Sequence, residues 1–221
     1  MIIFEDNDLL VINKPVGWIV NDAETTKGQQ TVQGWLQDRG LPNIGDRYGI
    51  VHRLDKETSG ILLIAKTQEA FTELQRQFKS REVEKVYLAV VHGKVTPESG
   101  EINAPIARNP FNRMRFGVFP GGREAITRYH VISNFQSPIS NLQLLEVHPL
   151  TGRTHQIRVH LKHIGYPIVG DDLYGGRKNL QEDRKRTPRM LLHAHKISFF
   201  HPVSHQKLSF EAPIPQEFPF V

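Results

Sequence analysis

The chain of 221 residues predicts an α+β fold: one continuous domain, residues 1–221, built on a mixed, mostly antiparallel sheet flanked by helices and loops. Two observations lead there. Short apolar runs of strand length recur from one end to the other, bounded by Gly, Pro, Asn or Asp, while only a few segments show helical spacing. In addition, no internal repeat, low-complexity linker or abrupt change of composition marks a domain boundary.

The elements follow in order. Ile2-Ile3-Phe4-Glu5, a turn at Asp6-Asn7-Asp8 and Leu9 to Asn13 read as a hairpin that ends at Lys14-Pro15-Val16-Gly17. A short helix follows Thr31, with Val32, Trp35 and Leu36 on one face and Gly40 closing it. Ile61-Leu62-Leu63-Ile64-Ala65 has the length of a buried strand, and a helix capped by Thr67 repeats Ala70, Phe71, Leu74 and Phe78 at helical spacing. Lys85 to His92 is a strand stopped by Gly93, and further strands are expected at Ala125 to Ser133 and Asn141 to Val147. The second of these alternates, which predicts a sheet with one solvated face. A helix from Thr154 to Ile164 stops at Gly165, with Ile157, Leu161 and Ile164 as its apolar stripe. Arg158 lies at the margin of that stripe, where a cation can point inward toward a partly buried carboxylate. Leu191 to Phe200 and Lys207 to Phe210 close the chain as a strand pair.

Composition restricts the function. Without cysteine there is no disulfide framework and no thiolate site. Nothing at the N-terminus reads as a signal peptide and no apolar stretch approaches a membrane span, so a soluble, cytoplasmic, monomeric protein is expected. The formal charge is +5, and its distribution says more than its total. Between Ile106 and His130 five arginines (Arg108, Arg113, Arg115, Arg123, Arg128) face one acid, Glu124, and interleave with Phe111, Phe116, Phe119 and Tyr129. Cations among aromatics suit phosphates with unstacked bases. A second basic cluster spans Arg177 to Arg189. Either could be an ordinary solvated face; together they favour a polyanionic partner.

The densest polar segment is Val51-His52-Arg53-Leu54-Asp55-Lys56-Glu57-Thr58-Ser59-Gly60. Asp55 stands between Arg53 and Lys56, with His52 three places back, and is expected to carry its charge in a loop that enters the sheet. It is available there as a nucleophile or base, although an Arg-Asp pair beside a strand is more often structural. Rival chemistries are poorly supported. His160 and His163 share a helix side but no His-Glu-x-x-His pattern accompanies them, so no metal site is expected. Thr58-Ser59-Gly60 lacks the glycine of a nucleophile elbow, and Gly121-Gly122 and Gly175-Gly176 are not spaced as a phosphate-binding fingerprint. A glycosidase pair would need Glu57, which reads as a surface charge.

Four blocks in fixed order then resemble the RluA-type pseudouridine synthases: Val11 to Gly17, His52 to Gly60, Lys85 to Gly93, and Leu150 to Leu161 continuing through Pro167 to Asp171 and Leu173-Tyr174-Gly175. Leu191-Leu192-His193-Ala194 resembles the family's terminal motif, so the resemblance runs from about Val11 to Pro202. Asn21-Asp22 departs from the family's usual His-Pro, and the first block begins too near Met1 for a preceding S4-type RNA-binding domain.

The resemblance implies a pseudouridine-synthase-like catalytic domain that isomerises uridine to pseudouridine in structured ribosomal or transfer RNA, with no cofactor. It implies that Asp55 is the essential carboxylate, that Arg158 pairs with it, and that Tyr87 stacks on the base and helps to remove the C5 proton. It further implies that Leu192 packs against the uracil and that Arg53 fills the gap left by a flipped nucleotide. Lys14, Arg153 and His155 are expected phosphate or sugar contacts, and Arg113 and Arg115 a loop that closes on RNA. Two rivals stay open: a catalytically silent RNA-binding module on the same fold, and a base hydrolase that releases free uracil.

Overall fold

The structure, a computed structural model, describes residues 1–137 and 140–218. Two compact units emerge: residues 1–85 with 194–213, and residues 86–193 with 214–221. The fold is α+β with a mixed sheet, and four α-helices occur among the described residues.

In the first unit β1 (Ile2–Glu5) and β2 (Leu9–Lys14) form the expected antiparallel hairpin, and β2 pairs with β3 (Ser59–Ala65) from Leu9↔Ala65 to Lys14↔Gly60. Asp6 Oδ1 fixes the hairpin turn by accepting from the backbone N–H groups of Asp8 and Leu9, at 2.8 and 2.7 Å. Helix α1 (Val32–Asp38) starts where Thr31 Oγ1 caps the Gly34 N–H, and α2 (Gln68–Lys79) where Thr67 Oγ1 caps that of Ala70. Its apolar face, Ala70, Phe71 and Leu74, packs with Leu9, Val11, Ile61 and Leu63. All seven residues of β3 are buried, as its unbroken apolar run requires.

The second unit orders its strands as β4 (Glu84–His92, whose first two residues lie in the first unit), β9 (Ser140–Pro149), β8 (Ile126–Ser137) and β5 (Ser99–Asn103). A separate small hairpin joins β6 (Ile106–Arg108) to β7 (Phe116–Val118). Helix α3 (Gln156–His163) lays Ile157 and Leu161 into the core with Ala89, Leu145 and Val147. A last helix, α4 (Arg177–Asp183), lies within the second basic cluster. Strand β10 (Leu192–Phe200) passes from the second unit into the first, where it pairs with β11 (Lys207–Glu211) from Lys196↔Glu211 to Phe200↔Lys207.

One expectation fails. Strand β9 has no solvated face over Leu142 to Leu145, all of which are buried. Leu145 and Val147 join one apolar cluster, whereas Leu142 and Leu144 join another with Val169, Leu191 and Phe218. Irregular chain from after α3 and from the C-terminus supplies that second cover, which strand periodicity could not reveal.

Candidate active site

Asp55 and Arg53 lie in the loop before β3, in the first unit. Asp55 is partly buried and Arg53 exposed, and the Asp55 carbonyl accepts from the Thr58 N–H at 3.1 Å to close a tight turn. Two side chains fix this loop to the sheet. His52 Nε2 accepts from the Leu63 N–H at 2.9 Å, and its ring stacks on Phe78 of α2 with centroids 4.9 Å apart. Burial, with the nearby positive charge of Lys85, pushes the His52 imidazole down to about 3, so it is neutral and protonated on Nδ1. His52 therefore adds no positive charge to this loop.

Lys14 is the second anchor. It is fully buried, and its ammonium donates to the carbonyls of Pro15 and Trp18 at 2.8 Å each and of Lys56 at 3.3 Å. The Gly17 N–H reaches the same Lys56 carbonyl at 2.9 Å. The lysine at the end of the first motif thus ties that motif to the turn that carries Asp55. Gly60, at φ 112°, ends the second motif because a Cβ there would overlap the backbone of Ala194.

The second unit holds Tyr87, Arg153, His155, Arg158, Leu192, Arg113 and Arg115. Arg158 is buried on α3 and meets Asp171 through two hydrogen bonds of 2.8 Å, from Nε to Oδ2 and from Nη2 to Oδ1. Asp171 Oδ1 also accepts from the N–H groups of Leu173 and Tyr174, at 3.0 Å each. The family resemblance implies Asp55 as the partner of Arg158, and Asp171 is a carboxylate with no role assigned from the sequence. This carboxylate fixes the guanidinium plane, as a bidentate fork does. The Arg158 guanidinium lies 5.1 Å from the ring centroid of Tyr174.

The Tyr174 hydroxyl accepts from the Phe116 N–H at 2.9 Å and stands 2.9 Å from His155 Nδ1. His155 itself adopts a left-handed backbone conformation, φ 56°, just before α3. Arg153 Nε donates to the Glu124 carbonyl at 2.8 Å. Tyr87, on β4, is half-buried against the core cluster to which Leu192, at the start of β10, belongs. Arg113 and Arg115 are exposed in the loop between β6 and β7.

The structure therefore groups Arg53, Asp55 and Lys14 in one unit, and His155 and Arg158 around Tyr174 in the other. Three contributors had no role assigned from sequence: His52 as a neutral anchor, Asp171 as the partner of Arg158, and Tyr174 as the bridge to His155. Only the placement of Asp171 and Tyr174 within the quoted motif signalled them. His160 is a buried structural histidine with hydrogen-bond partners on both ring nitrogens, Thr127 Oγ1 and the Ala104 carbonyl, each at 2.9 Å. Asp6, Asp8 and His201 cluster closely enough to hold a metal ion. However, His201 Nδ1 accepts from the N–H groups of Val203 and Ser204, which places a proton on Nε2 toward Asp6 and removes it as a ligand.

Residues 8–163 match the sequence profile of a family described as RNA pseudouridylate synthase. Among curated proteins, ribosomal large subunit pseudouridine synthase D of Pseudomonas aeruginosa is 39% identical over 227 residues, covering 98% of this chain and 69% of its own length. The uncharacterized RNA pseudouridine synthase YlyB of Bacillus subtilis is 40% identical over 219 residues, with the same coverage, 98% and 69%. Among solved structures, human RNA pseudouridylate synthase domain containing 1 superposes with a TM-score of 0.76 at 29% identity, covering 96% of this chain and 82% of that one.

Proposed function

Because the chain belongs to the RNA pseudouridylate synthase family, and so to the isomerases, we propose that it converts specific uridines of ribosomal or transfer RNA to pseudouridine with Asp55 as the essential carboxylate. The observation that carries this reading is the anchoring of one short turn. Lys14 and His52 hold the segment His52 to Lys56 from two sides, while Asp55 keeps a partly exposed carboxylate and Arg53 a free reach into solvent. A scaffold that fixes a carboxylate in this way lowers the entropy of bringing it to a substrate atom.

The chemistry balances within the nucleotide. The N1–C1′ bond breaks, the base turns, a C5–C1′ bond forms, and the C5 proton leaves as N1 gains one. No oxidant, reductant or added group is required. Asp55 acts on the uracil ring or on the sugar, and Tyr87 stacks on the base and assists removal of the C5 proton. Leu192 packs against the uracil. Arg158, whose guanidinium plane Asp171 fixes, is the cation that pairs with the Asp55 carboxylate in this reading. The reacting uridine is flipped from its stack, at a cost of a few kcal/mol when it is paired, and Arg53 occupies the vacated position. Arg153 and His155 contact sugar or phosphate, and Arg113 and Arg115 close on the strand. Lys14 contributes through the turn it anchors.

Nucleoside chromatography of digested RNA tests the proposal. After incubation of unmodified ribosomal and transfer RNA with the protein, pseudouridine is expected in one or both, and Arg158→Lys should lower its rate of formation by at least about tenfold, since a lysine cannot span both carboxylates in a planar fork. Release of free uracil with abasic sites would establish the hydrolase in its place. Tight RNA binding with neither product would establish the silent binding module.

A further inference from the structure

Phe111 is 94% exposed and Met114 76% exposed in the loop that joins β6 to β7. Leaving a phenylalanine in water forgoes the roughly 1.5–3 kcal/mol that burial would give, and nothing in the core uses this ring. Yet the loop that displays it is built. Asn109 Oδ1 accepts from the N–H groups of Phe111 and Asn112, at 2.8 and 3.1 Å, and Asn112 Oδ1 accepts from that of Met114 at 3.1 Å. The Asn109 N–H reaches the Arg115 carbonyl and the Arg115 N–H the Asn112 carbonyl, each at 2.9 Å. Arg108 Nη1 donates to the Arg113 carbonyl at 2.9 Å, while its guanidinium lies 5.1 Å from the Phe116 ring centroid. Short polar side chains thus set the backbone conformation with no help from Phe111.

The surroundings identify what the ring meets. Arg108, Arg113 and Arg115 stand within four residues of it along the chain, and no acid occurs from Ile106 through Arg123. A face that buries apolar protein surface would place Phe111 in a continuous apolar patch; here Asn109, Asn112, Arg113 and Arg115 interrupt it. An exposed flat apolar ring on a loop that also carries the exposed Arg113 and Arg115 matches an unpaired nucleobase with adjoining phosphates, because every base offers a π-face whatever its sequence.

We propose that Phe111 is a stacking platform for an unpaired base of the substrate RNA, other than the uridine that reacts, with Arg113 and Arg115 holding the adjoining phosphates. This rests on the reading of the protein as an RNA-modifying enzyme. It adds a contact that selects substrates with a single-stranded or bulged base near the target.

The test is binding of a single-stranded oligouridine that carries one 2-aminopurine, followed by anisotropy and by quenching of the 2-aminopurine on stacking. Phe111→Ala and Phe111→Leu should both weaken binding roughly 5- to 150-fold and abolish the quench, whereas Phe111→Tyr should bind within about twofold of wild type. Leu matching wild type while Ala does not would replace stacking with simple apolar contact and overturn the proposal, as would equal binding and quenching by all variants. Asp55→Asn serves as the control: it should bind and quench like wild type without forming product. Normal turnover of RNA with no effect of Phe111 substitutions sinks the stacking proposal alone. The Phe111 pattern without pseudouridine formation sinks the isomerase reading alone, and no binding by wild type sinks both.

Discussion

At the scale of single residues, the half-buried His52 and the fully buried Lys14 show how the turn that carries a partly buried acid is held in place. His52 is neutral because its Nε2 is engaged by the Leu63 N–H and because burial and Lys85 disfavour a second cation. The folded imidazole binds a proton only near pH 3, against an ordinary value of 6.5. Between those values the unfolded chain takes up the proton and the folded one does not. The contribution of His52 is therefore intact above pH 6.5 and is lost as the pH falls toward 3, by up to about 1.4 kcal/mol per pH unit. Urea unfolding should show this slope, and His52→Gln, whose amide oxygen can still accept from Leu63, should flatten it. An unchanged slope would mean that His52 is already charged in the folded protein. For Lys14, replacement by Met should remove the ammonium donor from the Pro15 and Trp18 carbonyls and one of the two donors from that of Lys56, and cost roughly 2–4 kcal/mol of stability, with activity falling as the turn loosens. A pure loss of RNA affinity at unchanged stability would instead make Lys14 a phosphate contact.

At the scale of elements, the legible parts of the fold were those whose own residues carry the signal. The β1–β2 hairpin has apolar runs around an Asp-Asn-Asp turn, and α1 and α2 carry threonine caps and a regular apolar face. Strand β5 escaped because Ser99 to Asn103 contains a single buried apolar residue, Ile102, at the end of its sheet order. Strands β6 and β7 are three residues each and rest on a hairpin whose loop is all Asn, Pro, Arg and exposed apolar residues. Helix α4 was hidden in a basic cluster, its one inward residue being Asp183, which accepts from the Gly170 N–H at 2.8 Å and meets His92 at 3.0 Å. For the site, local sequence showed that Arg158 would turn inward, but its partner lies 13 residues on in irregular chain. Asp171→Asn should therefore be costly on two counts. It removes the bidentate counter-charge from a buried guanidinium, a loss of up to about 3–5 kcal/mol, and it loosens the plane of Arg158. Thermal unfolding and the rate of pseudouridine formation should both drop; a variant as stable and active as wild type would show that another carboxylate holds Arg158.

At the scale of the whole molecule, a formal charge of +5 on 221 residues is modest, so RNA affinity depends on where the cations stand. The β6–β7 loop concentrates exposed arginines without acids, which favours phosphate contact by release of counterions. Substituting Arg113 and Arg115 together by Gln should lower the slope of log affinity against log salt by about 1.4, two phosphates at roughly 0.7 each for a single strand. An unchanged slope would remove that loop from the RNA interface.

The central claim is that the anchored turn before β3 exists to present Asp55 to a uridine in RNA. Release of tritium from RNA labelled at uracil C5 tests it most directly, with wild type and Asp55→Asn compared on separate ribosomal and transfer RNA pools. Exchange at C5 is a step that binding or base hydrolysis does not perform. Release by wild type from at least one pool is expected, and none above background by Asp55→Asn, whose RNA affinity stays the same. Equal release by both proteins would contradict it and place the essential group elsewhere.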